Sequence, residues 1–156
     1  MPSQHKAPPR KIPSDDNGYF EIITKAVFQT GIKWAVVENK WSGFREVFHD
    51  FDIKKVSAFT EDDLYRLVED TRIIRHGGKI KATIANAATC VALVKEHGSM
   101  KGYLEDLRSL DFDERVMTIR KQFRFLGPLG VYVFLYSVGE PVPDHEDAMK
   151  VLKKLK

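Results

Sequence analysis

Cysteine is nearly missing: Cys90 stands alone in 156 residues, so no intramolecular disulfide can form, and a zinc site would have to rest mostly on His and carboxylates. Such usage suits a reducing compartment, and the cytoplasm is the expected location. Long apolar runs are lacking too. The best candidate, Leu129 to Val138, is interrupted by Gly130 and is about half of the roughly 18 to 20 residues that span a bilayer. Met1 to Ser14 is polar and proline-rich, without the apolar centre of a secretory leader, so none is expected. At about 100 to 200 residues per domain, the length leaves no room for two catalytic domains. No large excess of one charge exists: 25 Lys and Arg against 22 Asp and Glu leave +3, a weak lean toward a polyanionic partner. Walker-type loops, GxGxxG, HExxH and GxSxG are all absent, which removes the commonest nucleotide, metalloprotease and serine-hydrolase signatures.

What is present is helical periodicity. Phe20, Ile23 and Val27 precede a stop at Gly31, and Val37, Phe44, Val47 and Phe48 face a core from the next helix. Leu64, Leu67 and Val68 follow Thr60 and Asp63, which resemble a capping box. Ile80, Ile84, Ala87, Val91 and Val94 make one face of a long helix ending at Gly98, and Val116, Ile119 and Phe123 make another stripe. Only Val131 to Tyr136 has strand propensity. It is read as helix, because a lone strand would find no partner and its backbone groups would be buried unpaired. The expected fold is all-α, a bundle of about seven or eight helices. Four prolines among basic residues mark 1–17 as a flexible basic arm, solvated or touching phosphates, before a single domain over 18–156.

Three stretches could carry chemistry. In Phe123 to Tyr132 a helix ends, Gly127 permits a reversal and Pro128 suits the first turn of the next helix. The unpaired amides at that start can hold a phosphate oxygen, although a Gly-Pro turn is also an ordinary connector. In Ile73 to Ile80, Arg75 and Lys79 flank two glycines, either a backbone-contacting turn near phosphates or a helix link with solvated charges. In Phe28 to Trp34, the indole offers a stacking face and Gln29 a hydrogen-bonding edge, if Trp34 is not simply core. Cys90, beside an apolar stripe, is expected to be an inert buried thiol. Asp144, Glu146 and Asp147 around His145 have a metal-like look and are more simply explained by the dipole of a terminal helix.

A resemblance covers roughly two-thirds of the chain, in order. It runs through Phe20-Glu21, Gln29-x-Gly31-x-x-Trp34, Phe44-Arg45-x-x-Phe48-x-x-Phe51-Asp52, Ile73-Ile74-Arg75-x-x-x-Lys79-Ile80 and Asn86-Ala87. It resumes at Phe123 to Pro128, then Tyr132, Phe134, Gly139 and Asp144-His145. The chain thereby resembles the DNA-3-methyladenine glycosylase I family of helix-hairpin-helix DNA glycosylases. That resemblance implies a helix-hairpin-helix glycosylase-like bundle whose hairpin, Gly127, Pro128, Leu129 and Gly130, grips phosphate, aided by Arg75 and Lys79. It implies Trp34 as the base-stacking platform, with Gln29 and Glu21 lining or supporting the pocket.

Departures from the family pattern are equally specific. Ala26 stands where the family carries a base-contacting glutamate. The amino-terminal segment with two zinc ligands is missing; His145 matches a third ligand, but the expected second Cys is Met149. No metal and no cofactor are therefore expected. Glu38, one turn beyond Trp34, and Asp144, after the hairpin, are the carboxylates that could replace the missing glutamate. The expected activity is hydrolysis of the N-glycosidic bond of an alkylated purine of the 3-methyladenine type, flipped out of duplex DNA, in base-excision repair. The alternative is a catalytically degenerate protein of the same fold that binds DNA or recognises damage. The expected partner is duplex DNA with an alkylated base, with no membrane, and the chain is expected to act as a monomer.

Overall fold

The computed structural model describes residues 10–155. Among them lie ten α-helices and no strand: α1 Asp16–Gln29, α2 Trp34–Asn39, α3 Trp41–Val47, α4 Ile53–Ser57, α5 Glu61–Val68, α6 Gly77–His97, α7 Met100–Asp106, α8 Phe112–Gln122, α9 Pro128–Ser137 and α10 His145–Lys154. The helix count is thus higher than the seven or eight expected from periodicity. What periodicity joins as one helix from Val37 to Phe48 is α2 and α3, parted at Lys40. The break sets Gly43 against the 70–72 turn, where a Cβ would lie 2.1 Å from the Arg72 carbonyl oxygen, and the Lys40 ammonium donates to the Thr71 carbonyl (2.9 Å). Among the described residues, no helix is long and apolar enough to cross a membrane.

Local chemistry fixes the helix ends. Asp15 accepts from the Gly18 amide and starts α1; Thr60 and Asp63 form the capping box of α5; Gly98, at φ +87°, ends α6. The 21-residue α6 is the central pillar, packed by α1, α4, α5 and α7. Beside it the ring of Trp41 lies between Phe44 (4.7 Å, 24°) and Phe51 (5.2 Å, 11°), continued by Phe48. Burying each such side chain contributes about 2–3 kcal/mol, which makes this stack a principal anchor of the amino-terminal half. The β-branched and aromatic run from Val131 is helical in α9. Packing between α1 and α8 buries Val131, Phe134 and Leu135, while the helix satisfies its own backbone, so context overrides propensity.

Two features escape sequence periodicity. His49, Asp50 and Phe51 are three consecutive non-glycine residues with φ of 51°, 55° and 59°, a left-handed turn costing about 1–2 kcal/mol per residue. It is held by the buried Phe51 ring at one end and by Asp52, which caps α4 through the Lys54 and Lys55 amides (3.0 Å each), at the other. The second is the amino-terminal approach. The expectation of a flexible arm over 1–17 is corrected where the structure describes it. The Arg10 guanidinium donates to the Tyr136 and Glu140 carbonyls (2.8 Å each) and lies 4.6 Å above the Tyr136 ring. The Lys11 amide donates to Ser137, and α1 already begins at Asp16. Backbone carbonyls at the end of α9 supply the anchor that composition cannot show. Residues 1–9 of the arm lie outside the described residues.

Candidate functional site

Four helices converge on a cavity of about 610 Å³. The end of α1 and the turn after it give Ala26, Gln29, Thr30 and Gly31, and α2 begins with Trp34. The hairpin and α9 give Gly127, Pro128, Leu129, Gly130 and Val133; α10 gives Met149, Leu152 and Lys153. Gly31, at φ +76°, turns the chain so that the indole of Trp34 faces back toward α1. Thr30 is occupied through its hydroxyl, which donates to the Ala26 carbonyl (3.2 Å). The Gln29 side-chain amide has no hydrogen-bond partner among the described residues, and its position on the cavity wall leaves both donor and acceptor for a ligand. No lining residue is a carboxylate; Lys153 is the one charged side chain in the wall.

The hairpin wall is a helix start without a side-chain cap. Gly127 is the N-cap of α9, Pro128 occupies the first turn, and the Val131 amide closes on the Gly127 carbonyl (2.9 Å). The amides before it have no partner within the helix, and together with the helix dipole they favour an anion.

Several sequence-based assignments are relocated. Lys79 is buried, and its ammonium donates to the Phe28 carbonyl (3.4 Å) and to that of Thr30. Burial pushes its pKa down. It ties the end of α1 in place from beneath, so the expectation that it touches DNA is corrected, whereas Arg75 on the same turn is exposed. Glu21 is a support rather than a pocket wall: its carboxylate accepts from Trp41 Nε1 (2.8 Å) and Arg45 Nε (2.9 Å). Neither carboxylate proposed to replace the missing glutamate lines the cavity. Glu38 pairs with Lys25 at 2.6 Å, and Asp144 accepts from the Asp147 amide at 2.9 Å as the N-cap of α10. Cys90 is fully buried, and burial pushes its thiol pKa far up, so it is not a nucleophile at neutral pH.

The α10 wall was not foreseen. Its sequence signal is the stripe Ala148, Leu152 and Leu155, at helical spacing on an otherwise charged helix. The same region bears on zinc. The donor set does not fit that ion: one turn beyond His145 stands Met149, a thioether, and the sole cysteine is buried in α6. Among the described residues, one trio brings its possible ligand atoms within 4.8 Å of one another, Asp111, Asp113 and Glu114, and it is exposed at the start of α8.

Comparison with known proteins gives this geometry its context. The family model for methyladenine glycosylase matches residues 10–120. DNA-3-methyladenine glycosylase 1 of Escherichia coli K12 is 46% identical over 74 residues, 47% of this chain and 40% of that protein. The DNA-3-methyladenine glycosylase of Haemophilus influenzae is 29% identical over 150 residues, covering 84% of this chain and 80% of that one. A solution structure of 3-methyladenine DNA glycosylase I superposes with a TM-score of 0.70 at 30% identity, over 89% of this chain and 82% of that one. The all-helical fold is therefore shared with a solved relative, and the chain belongs to the methyladenine glycosylase family.

Proposed function

We propose that the protein binds duplex DNA through the α9 hairpin and hydrolyses the N-glycosidic bond of an alkylated purine of the 3-methyladenine type, as the names of its relatives state for them. The observation that carries this reading is the cavity itself: an indole, an amide edge without a partner and an uncapped helix start meet around one space. A nucleotide held by its phosphate at Gly127–Gly130 and rotated out of the stack brings its base to Trp34. Gln29 then meets the base edge with one donor and one acceptor, as amides do with purines. Alkylation on the ring makes the base cationic. When the bond from the sugar carbon to the base nitrogen breaks, its electron pair returns to the base and neutralises it. Water adds to the sugar carbon and loses a proton to solvent. Such a leaving group asks little of acid–base catalysis, which is compatible with a wall that has no carboxylate.

The test is release of free methylated base from methylated duplex DNA, followed by chromatography. Release above a heat-treated control is expected, as is its loss in Trp34→Ala. No release from the native protein would leave a damage-binding role. Ala26→Glu then reports on the rest of the pocket: activity gained by that one change means the remainder is intact. Asp144→Asn and Glu38→Gln are expected to release base at native rates, because both carboxylates are engaged outside the cavity.

A further inference from the structure

Outside the cavity, one side chain is held against its local preferences. Phe125 has φ +57°, in the left-handed region that bulky L residues avoid, and its ring is 51% exposed. The conformation is fixed from beneath by Asn86, a buried residue of α6. Its Nδ2 donates to the Arg124 carbonyl (3.1 Å), and its Oδ1 accepts from the Arg124 amide (2.8 Å). The ring stands on Gly78, where an added Cβ would come within 3.3 Å of its tip, and it meets the His76 imidazole edge-on, centroids 5.9 Å apart. Phe125 therefore bridges the starts of α6 and α9. Around it Arg75, His76, Arg124 and Leu129 are exposed, and neither 73–79 nor 123–131 contains a carboxylate.

We propose that this ridge is a second DNA contact, in which the Phe125 ring packs on the deoxyribose face of the strand gripped at Gly127–Gly130 and Arg75 and Arg124 reach flanking phosphates. Duplex DNA is the occupant favoured over a protein for two reasons. The ridge is continuous with the hairpin, and the two segments that form its rim are cationic and contain no carboxylate. The contact reads no base, so it acts at any sequence, outside the base pocket. It rests on the DNA-binding part of the function proposed above.

Phe125→Gly separates contact from architecture, because glycine accepts the backbone angle without strain. Equilibrium binding to a labelled duplex carrying an abasic-site analogue, measured across a salt series, is expected to weaken about tenfold in Phe125→Gly and Phe125→Ala, the scale of one lost aromatic contact. The salt slope stays as in the native protein, since no ion pair is removed. Phe125→Gly melts no lower than the native protein. Arg75→Ala and Arg124→Ala each flatten the slope by about 0.9. Affinity of Phe125→Gly within twofold of native overturns the proposal. So does a concentration-dependent dimer that Phe125→Gly dissolves while DNA affinity is unchanged, since the ridge would then join two copies. If the native protein itself fails to bind DNA, the functional reading falls as well; if it binds DNA and releases base while Phe125→Gly binds equally, only the ridge proposal falls.

Discussion

At the start of α6 the imidazole of His76 accepts the Lys79 amide (3.1 Å), and the lysine side chain turns inward to close the end of α1. At the start of α9 no side chain meets the amides, and Pro128 removes one donor that would otherwise need a partner. Both turns are rich in glycine, and in sequence both suggest contact with a phosphate backbone. The structure separates the two: one helix start is satisfied internally and supports the pocket, while the other has no side-chain cap. A glycine-rich helix start is thus a weak sign of anion binding until its cap is known.

The sharpest way to break that contrast is to cap α9. Around Gly127 there is nothing within 4 Å of an added Cβ, so Gly127→Asp fits and supplies an N-cap acceptor. It is expected to raise the melting temperature while weakening DNA binding about 30-fold, or roughly 2 kcal/mol; unchanged DNA affinity would remove the hairpin from the interface. Next in size, Lys79→Met leaves the Phe28 and Thr30 carbonyls without their charged donor and should cost roughly 1.5 kcal/mol in denaturant unfolding. Base release should fall with it, since the wall of the pocket loosens. His76→Ala removes a cap and the ring that meets Phe125 edge-on, and should cost about 1 kcal/mol, with less effect on DNA affinity than Gly127→Asp.

A smaller effect is expected away from both turns. Hydrogen bonds from Arg72 hold the Asp70 carboxyl below the usual carboxylate range. Its folded pKa being depressed, the stabilisation is complete above the unfolded value near about 4 and is lost as pH falls through the folded value. Asp70→Asn should therefore flatten the acid limb of a stability–pH profile and leave the neutral region nearly unchanged.

Fold class was legible because apolar residues recur at 3.6-residue spacing through α1, α6 and α8, and because capping residues such as Thr60 and Gly98 stand where the helices end. Two sides of the cavity, Trp34 with Gln29 and the hairpin, were also recoverable from residue type and order. The inward turn of Lys79 was not, since an ammonium finding two carbonyls about fifty positions earlier is a tertiary event with no local mark. For the same reason Asp144 and Glu38 looked available as catalysts: sequence shows a carboxylate, not the amide or ammonium that occupies it. The left-handed turn at His49–Phe51 was invisible because His and Asp visit that region only as single residues and Phe avoids it, so three in a row have no local mark; the buried Phe51 ring and the Asp52 cap impose it.

Only two tryptophans exist in the chain, and the structure separates their surroundings. Trp41 is 4% exposed, clasped between phenylalanine rings, with its N–H on Glu21 and the Lys25 ammonium 5.1 Å above it. Trp34 is half-buried at the edge of the cavity. One indole thus emits from the core and the other from the edge of the cavity. In Trp34→Phe the remaining fluorescence follows unfolding alone; in Trp41→Phe it follows occupancy of the pocket. The molecule carries two optical channels, and they give a direct way to time base entry separately from folding.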